Sequence, residues 1–141
     1  VHHLPLECVK CNLEEPKDCK DSKILEDCYR AQCYKTTELV AKALGLPQEK
    51  FMTSFQSRLG RRPWIKPYTD IVIDELKAKG VRSLAVLSPS FIVDCLETLE
   101  ELAIELKSDF ESQNEELSLK FIPCLNDSDF FIKNLSHFLT T

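Results

Sequence analysis

Residues 87–105 read Leu-Ser-Pro-Ser-Phe-Ile-Val-Asp-Cys-Leu-Glu-Thr-Leu-Glu-Glu-Leu-Ala-Ile-Glu, so an apolar run ends at Pro89 and a helix-forming segment follows it. Helical spacing predicts one buried apolar stripe, made of Leu96, Leu99, Ala103, Leu106 and Phe110. The acidic residues predicted on the opposite side are Asp94, Glu97, Glu101 and Glu105. Stacked carboxylates repel one another unless a cation lies between them. This face is therefore either an ordinary solvated face or a cation-binding one.

The composition is that of a single globular domain. The chain has 141 residues, of which 43% are hydrophobic and 29% charged, which is enough to build a core. Its apolar runs are shorter than the roughly 18–20 residues that span a bilayer. A net charge of -5 argues against a nucleic-acid partner, because phosphate binding needs a basic face. Since the chain begins with Val1, we expect it to be a piece of a longer protein.

Apolar segments alternate between strand and helix patterns along the chain. The first predicted strand ends at Leu4, and the other three cover Phe51–Phe55, Ser83–Leu87 and Leu119–Ile122. The predicted helices cover Tyr34–Leu44, Thr69–Lys79, the acidic segment and Ser128–Phe138. The residues predicted to face inward are Leu39, Val40, Ala43 and Leu44 in the first helix, and Phe131, Leu135, Phe138 and Leu139 at the last. This order predicts an α/β fold, a three-layer αβα sandwich with a parallel sheet of about four strands. No glycine-rich phosphate-binding motif is present, so the sequence does not favour nucleotide binding.

Two further segments carry candidate ligand-binding groups. The first is Val1-His-His-Leu-Pro5, whose histidines would lie at the carboxyl end of a strand, where open α/β sheets bind ligands. The alternative is an incidental histidine pair. The second is the loop around Trp64, which also contains Arg58, Arg61 and Arg62 and suits a flat, anionic ligand. The alternative is that Trp64 packs this loop onto the core.

Five of the seven cysteines lie in one polar segment, at Cys8, Cys11, Cys19, Cys28 and Cys33. Such a segment cannot build its own core, which predicts disulfides in a secreted protein or a metal or iron–sulfur site in an intracellular one. The spacing Cys11-x7-Cys19-x8-Cys28-x4-Cys33 does not match the short pairs of a zinc site well, so an iron–sulfur cluster is the favoured intracellular interpretation. The other two, Cys95 and Cys124, adjoin apolar residues and are predicted to be ordinary buried thiols.

Together these segments resemble the C-terminal half of bacterial ferrochelatases over essentially the whole chain. The matching motifs are His2-His-Leu-Pro5, Ser54-Phe-Gln-Ser-Arg-Leu-Gly60 with Pro63-Trp64 and Pro67-Tyr-Thr-Asp70, and Pro89–Leu102. The cysteine segment, ending in Cys28-Tyr-Arg-Ala-Gln-Cys33, resembles a subgroup of this family with a [2Fe–2S] cluster in an internal insertion.

The resemblance implies insertion of Fe²⁺ into a porphyrin to form haem, with release of two protons. It implies that His2 is a metal ligand or proton acceptor and that Glu97 is its partner across the macrocycle. Asp94, Glu101 and Glu105 would conduct protons or metal, while Trp64, Phe91 and Arg58 would bind the porphyrin. In the family the acidic helix carries a π-type widening. Cys95 stands where some relatives have histidine, which leaves a third nitrogen ligand open.

The resemblance also implies the chain's organisation and partners. Residues 1–141 would form a Rossmann-like C-terminal chelatase domain with a cluster-binding loop at 7–33, completed by the N-terminal half of the enzyme. The expected cluster ligands are Cys11, Cys19, Cys28 and Cys33, with Cys8 as the spare thiol. A cytoplasmic location is expected, while a homodimer and contact with the inner membrane face are left open. The alternatives are a cobalt chelatase of related fold and a non-catalytic iron–sulfur or zinc-binding module.

Overall fold

The computed structural model describes residues 28–56, 64–112 and 116–140. The predicted first strand, His2, Arg58, Cys11 and Cys19 lie outside these residues. The chain divides into two compact units, Val1–Val72 and Ile73–Thr141. Within the described ranges, no helix is long and apolar enough to cross a membrane.

In the first unit, helix α1 (Tyr29–Ala43) begins five residues earlier than predicted. Cys33 therefore lies within a helix rather than at the end of a loop. The helix ends where Gly45 adopts a φ of 66°, the left-handed geometry that glycine allows at a C-terminus. The predicted inward residues Leu39 and Leu44 are exposed, and the buried residues are instead Arg30 and Ala41.

The burial of Arg30 explains which face of α1 turns inward. Its Nε donates a hydrogen bond to the carbonyl of Lys66 (3.1 Å), and its guanidinium lies 4.9 Å from the centre of the Tyr34 ring. A buried cation needs such partners, and stacking on an aromatic ring adds to them. Apolar spacing alone gave the wrong face because it did not consider this arginine as a buried residue.

The predicted strand at 51–55 is shorter in the structure. A short 3₁₀ turn, Gln48–Lys50, precedes an extended segment with a single parallel bridge between Phe55 and Tyr68. The bridge consists of two backbone hydrogen bonds, from Phe55 N to Pro67 O (2.9 Å) and from Thr69 N to Phe55 O (3.2 Å). Phe55 itself is buried, so this segment contributes to the core of the first unit.

After helix α2 (Thr69–Ala78), the chain forms strand β1 (Ser83–Leu87), a π-helix (Glu97–Leu106), helix α3 (Lys107–Glu111), strand β2 (Ser118–Ile122) and helix α4 (Asp129–Thr140). Strands β1 and β2 pair in parallel, from Ser83 with Ser118 to Leu87 with Ile122. Parallel neighbours joined by a helical crossover confirm the α/β class. The described residues contain these two strands of the predicted sheet of about four.

The core of the second unit is formed by residues of this sheet, of the crossover and of helix α2. Ile73, Phe110 and Leu119 are buried together, with Leu84, Val86, Leu106 and Leu117 packed around them. Phe110 is completely buried, which stabilises the unit by about 1.5–3 kcal/mol relative to an exposed ring.

Helix α4 contributes no buried residue to this core. Of its predicted inward residues, Phe131 is half-buried, whereas Phe138 and Leu139 are 78% and 74% exposed. The prediction of an inward face was wrong because periodicity shows which side chains share a face but not whether another element covers it.

Candidate functional site

The acidic segment folds as a π-helix over Glu97–Leu106, and the chain continues directly into α3. The widening that the family resemblance implies is therefore present. In a π-helix, i→i+5 hydrogen bonds replace the i→i+4 bonds of an α-helix, so each turn takes up more residues. π-Helical turns are rare, and they are frequently found at functional sites.

The wider turns change which residues are buried. Thr98, Leu102 and Phe110 are buried, four or eight residues apart, and Leu106 between them is half-buried. The predicted stripe was wrong at its start, because Leu96 and Leu99 are 69% and 50% exposed. That stripe assumed the 3.6-residue period of an α-helix, which does not hold here.

Three of the acidic residues form one row along the π-helix. Glu97, Glu101 and Glu105 are four residues apart, each one position before a residue of the inward face. The row therefore borders the buried face rather than lying opposite it. Glu97 and Glu105 are exposed, and Glu101 is half-buried. The row thus presents carboxylate oxygens, the ligand type that hard and borderline cations accept.

The carboxylate of Glu97 accepts hydrogen bonds that lower its pKa. Its pKa lies below its ordinary value, mainly because the thiol of Cys95 donates a hydrogen bond to its carboxylate, and also because of its own backbone N–H. Hydrogen bonds to a charged form favour that form. Glu97 is therefore an exposed carboxylate that is ionised at neutral pH and accessible to a cation or a proton.

Asp94 differs from the row in its surroundings. It precedes the π-helix and is half-buried. Its Oδ1 accepts hydrogen bonds from Thr98 Oγ1 (3.0 Å) and the backbone N–H of Cys124 (3.2 Å). Its Oδ2 accepts one from Asn126 Nδ2 (2.7 Å), the main reason that its pKa lies below the ordinary value of 3.8. The structure thus groups Asp94 with residues that follow β2.

The two aromatic candidates lie in different units. In the first unit, Trp64 is half-buried, and its Nε1 donates a hydrogen bond to the backbone carbonyl of Gln56 (2.9 Å). In the second, Phe91 is 42% exposed in the turn after β1, where its backbone N–H donates to Ser88 O (3.0 Å). The polar edge of Trp64 is thus bonded to the backbone of Gln56, as expected for an indole that is partly buried.

A protein-family model described as "Ferrochelatase" matches residues 2–141. The chain belongs to the ferrochelatase family. It is 51% identical over 106 residues to a ferrochelatase of Legionella pneumophila (strain Corby), a match that covers 75% of this chain and 32% of that protein. It is 48% identical over 121 residues to a ferrochelatase of Pseudomonas fluorescens (strain Pf0-1), covering 84% of this chain and 35% of the relative.

A third ferrochelatase, from Ectopseudomonas mendocina (strain ymp), is 50% identical over 104 residues, which are 74% of this chain and 30% of that protein. The chain thus spans about a third of the length of the curated ferrochelatases that it matches. No solved structure matches it significantly.

The cysteines predicted for a cluster in this ferrochelatase-family chain are described only in part. Cys28 is the residue immediately before α1, and Cys33 lies within that helix; both are half-buried. Cys11 and Cys19 fall outside the described residues. Among the residues that the structure does describe, no three His, Cys, Asp or Glu side chains are grouped to hold a metal ion.

Two residues of the site were missed by sequence reasoning. Thr98 is completely buried and contacts Asp94, and Asn126 makes two hydrogen bonds to Asp94 across 32 residues of sequence. The i, i+4 spacing of Asp94 and Thr98 was a usable local signal. The adjacent Asn126-Asp127 pair indicated only a turn, because asparagine and aspartate both favour turns.

Proposed function

We propose that this chain is the C-terminal catalytic part of a ferrochelatase, which inserts Fe²⁺ into a porphyrin in haem biosynthesis. The observation that carries this proposal is the row of Glu97, Glu101 and Glu105 on the π-helix of a chain in the ferrochelatase family. Metal insertion requires that two pyrrole N–H groups lose protons while a hydrated cation loses water. An exposed ionised carboxylate serves either requirement, as a ligand for Fe²⁺ or as a proton acceptor.

In this proposal Glu97 binds the incoming metal ion or accepts a pyrrole proton. Its hydrogen bond from Cys95 favours the ionised form, which either role requires. Glu101 and Glu105 continue the row and pass protons or metal along the helix, since closely spaced carboxylates share protons. Asp94 belongs to the same acidic segment, and its part is argued separately below.

The remaining roles rest on the resemblance of motifs. His2 matches the family's His-x-x-Pro motif and is assigned as the metal ligand or proton acceptor opposite Glu97. Trp64, Phe91 and Arg58 are assigned to the porphyrin, whose flat ring suits aromatic contacts and whose carboxylates suit a guanidinium. The substrates of the enzyme are accordingly a porphyrin and Fe²⁺.

The test is iron insertion by the full-length enzyme. Oxygen-free enzyme mixed with a porphyrin and Fe²⁺ is expected to show the visible absorption change from free porphyrin to haem. The same assay with Co²⁺ separates this proposal from a cobalt chelatase, which would turn over Co²⁺ in preference to Fe²⁺. Absence of insertion of either metal would contradict the proposal.

A matched pair of variants tests the histidine assignment. His2→Ala is expected to abolish turnover while leaving porphyrin binding largely intact, because one imidazole contributes little to the contact area of a large planar ligand. His3→Ala, one position along, is the control and is expected to keep most of the activity. The reverse result would mean that His3, and not His2, is the histidine of the motif.

We also propose that Cys11, Cys19, Cys28 and Cys33 hold a [2Fe–2S] cluster. Four thiolates are the donor set that such a cluster needs, and the two described members, Cys28 and Cys33, are half-buried at the start of helix α1. These residues therefore fit the cluster in kind. When bound, the cluster cross-links a polar segment that has little apolar surface of its own to offset the entropy of ordering it.

Cysteine variants test the cluster apart from the chelatase activity. Each of the four changed to serine is expected to remove the red-brown colour of the oxygen-free protein and to lower its folded yield. Cys8→Ser is the control and should leave both nearly unchanged. Colourless protein with stoichiometric zinc, or paired disulfides found by mass spectrometry, would contradict the cluster but not the chelatase proposal.

A further inference from the structure

We infer that Asn126 is a positioning residue, which clamps Asp94 and thereby fixes the start of the π-helix that presents Glu97. In this inference Asp94 acts through the hydrogen bonds that it accepts and not by carrying protons. The activity test of this inference rests on the proposed function, whereas the hydrogen-exchange test does not.

The clamp begins with a reciprocal pair of hydrogen bonds. The backbone N–H of Asp94 donates to Asn126 Oδ1 (2.8 Å), and Asn126 Nδ2 donates to Asp94 Oδ2 (2.7 Å). One asparagine side chain thus uses its acceptor and a donor on the same residue. Both distances are short for N–H···O bonds, and the second is charge-assisted, which makes it stronger than a neutral bond.

The backbone of Asn126 completes the clamp. Its N–H donates to the carbonyl of Ile92 (2.9 Å), two residues before Asp94. Asn126 has a φ of 48°, a left-handed conformation that asparagine tolerates better than most residues with a side chain. This conformation brings its backbone and its side chain to the same short segment. Asn126 therefore holds residues 92–94 at three points.

Thr98 transmits the position of Asp94 into the helix. Its hydroxyl donates to Asp94 Oδ1 (3.0 Å) and accepts from the backbone N–H of Cys95 (2.9 Å). Thr98 is completely buried, so it has no water to replace these partners. Glu97 lies between Cys95 and Thr98 in the chain. A displacement of Asp94 would consequently displace the turn that carries Glu97.

The contacts of Asp94 also oppose a role in moving protons. Its two oxygens accept hydrogen bonds from Thr98, Cys124 and Asn126. A carboxylate that takes up and releases a proton would have to break at least one of these bonds in each cycle. Glu97, by contrast, is exposed.

Swapping the side chains of Asp94 and Asn126 distinguishes a positioning role of Asp94 from a role in moving protons. Asp94→Asn alone places an amide donor against the Asn126 donor, and Asn126→Asp alone places two carboxylates against each other. In the double variant, the amide introduced at position 94 can donate to the carboxylate introduced at position 126. Every contact of the clamp can then form again, while position 94 no longer carries an ionisable group.

We expect each single variant of the full-length enzyme to lose at least 10-fold in kcat and the double variant to regain most of it. Such recovery is the coupling that a double-mutant cycle measures. A double variant as inactive as Asp94→Asn would overturn the inference, because it would mean that the carboxylate itself is required. The control is Asn134→Asp in α4, whose Nδ2 donates a hydrogen bond to a carbonyl of its own helix, Phe130 O (2.7 Å).

A second readout does not depend on activity. Amide hydrogen exchange over residues 95–106 should accelerate at least 10-fold in each single variant and return towards the wild-type rate in the double variant. Exchange in β1 serves as the reference within the same unit. Unchanged exchange at 95–106 in both single variants would overturn the clamp. A wild-type enzyme without iron insertion would instead overturn the proposed function, and the exchange experiment would still decide the clamp.

Discussion

Asp94 and Glu97 are three residues apart, yet their carboxylates have opposite surroundings. Asp94 is half-buried and accepts hydrogen bonds from three neighbours, two of which lie more than 29 residues away in sequence. Glu97 is exposed and is hydrogen-bonded locally, by Cys95 and its own backbone. The difference teaches that a series of acidic residues need not share one role. One carboxylate here is held by hydrogen bonds from three neighbours, and the next is exposed to solvent.

The largest expected effect on activity comes from substitution of the exposed carboxylate, Glu97. Glu97→Gln in the full-length enzyme is expected to lower kcat for iron insertion by roughly 100-fold or more, the usual size of a lost acid–base group. Its melting temperature should change little, because substitution of an exposed side chain costs within about 0.5 kcal/mol. Steady-state insertion kinetics and thermal unfolding measure the two quantities.

Glu100→Gln provides the matched control for that variant. Glu100 is exposed on the same π-helix, one position outside the row, and should tolerate the change without loss of activity. Equal activity of both variants and the wild type would mean that the row is an ordinary solvated face.

The surroundings of Asp94 predict that the thiol of Cys124 reacts slowly. Burial, with the hydrogen bond and charge of Asp94, raises the pKa of Cys124 from its ordinary 9.0 to about 11. At pH 8 this lowers the thiolate fraction about 100-fold, while the higher nucleophilicity of that thiolate recovers about 10-fold. Iodoacetamide should therefore modify Cys124 about 10-fold more slowly than in urea-unfolded protein.

The pH dependence checks the cause of that slow reaction. If the raised pKa is responsible, the alkylation rate in the folded protein rises up to about pH 11 instead of levelling off near pH 9. Peptide mass spectrometry at several pH values measures it. A rate that levels off near pH 9 would mean that limited access, and not the pKa, slows the reaction.

Thr98 donates a hydrogen bond to the Asp94 carboxylate and follows Glu97 directly in the chain, and its hydroxyl is expected to matter more than its methyl group. Thr98→Val removes the hydroxyl at nearly constant shape and leaves the Cys95 N–H without that acceptor, which should cost about 1–3 kcal/mol in free energy of unfolding. Thr98→Ser keeps the hydroxyl and should cost only about 1 kcal/mol for the lost methyl. Chemical denaturation of the two variants compares them; a larger loss for serine would contradict the argument.

The smallest effect is a dependence of stability on pH. Since the folded pKa of Asp94 lies below 3.8, the unfolded state binds more protons, and the stabilisation is present above pH 3.8 and lost as pH falls through the folded pKa. Asn126→Gly removes the main cause of that shift and keeps a backbone that accepts positive φ.

We therefore expect the melting temperature of Asn126→Gly to lie roughly 5 °C below that of the wild type at pH 6, and this difference should narrow below pH 3.8. Thermal unfolding between pH 2 and 6 measures the gap. A gap that stays constant over this range would contradict the assignment.

Local sequence patterns predicted the elements of the second unit well. Strand Ser83–Leu87 has its predicted limits, and Leu119–Ile122 is longer in the structure by one residue. Helix Thr69–Ala78 ends one residue before its predicted end, close to Gly80. These limits depend on apolar runs and on glycines that end helices, all within a few residues of the limit, so the local sequence contains the information.

What sequence could not supply was the helix geometry and the distant contacts. The exposure of Leu96 and Leu99 follows from i→i+5 hydrogen bonds, a backbone choice that apolar spacing does not encode. The part played by Asn126 depends on a partner 32 residues away. Sequence thus predicted Glu97 as a candidate from its motif, but neither the residue that positions it nor the separate surroundings of Asp94.

The parallel register has a consequence for how the second unit folds. Every pair of the β1–β2 ladder joins residues 35 positions apart, as in Ser83 and Ser118, so this sheet cannot start as a local hairpin. Closing so long a loop carries an entropic cost before any strand contact forms, which slows folding. Asp94 and Asn126 close a loop of 32 residues within the same crossover. Once they meet, most of the closure needed by β1 and β2 has already occurred, and loss of this contact should slow refolding as well as weaken the folded state.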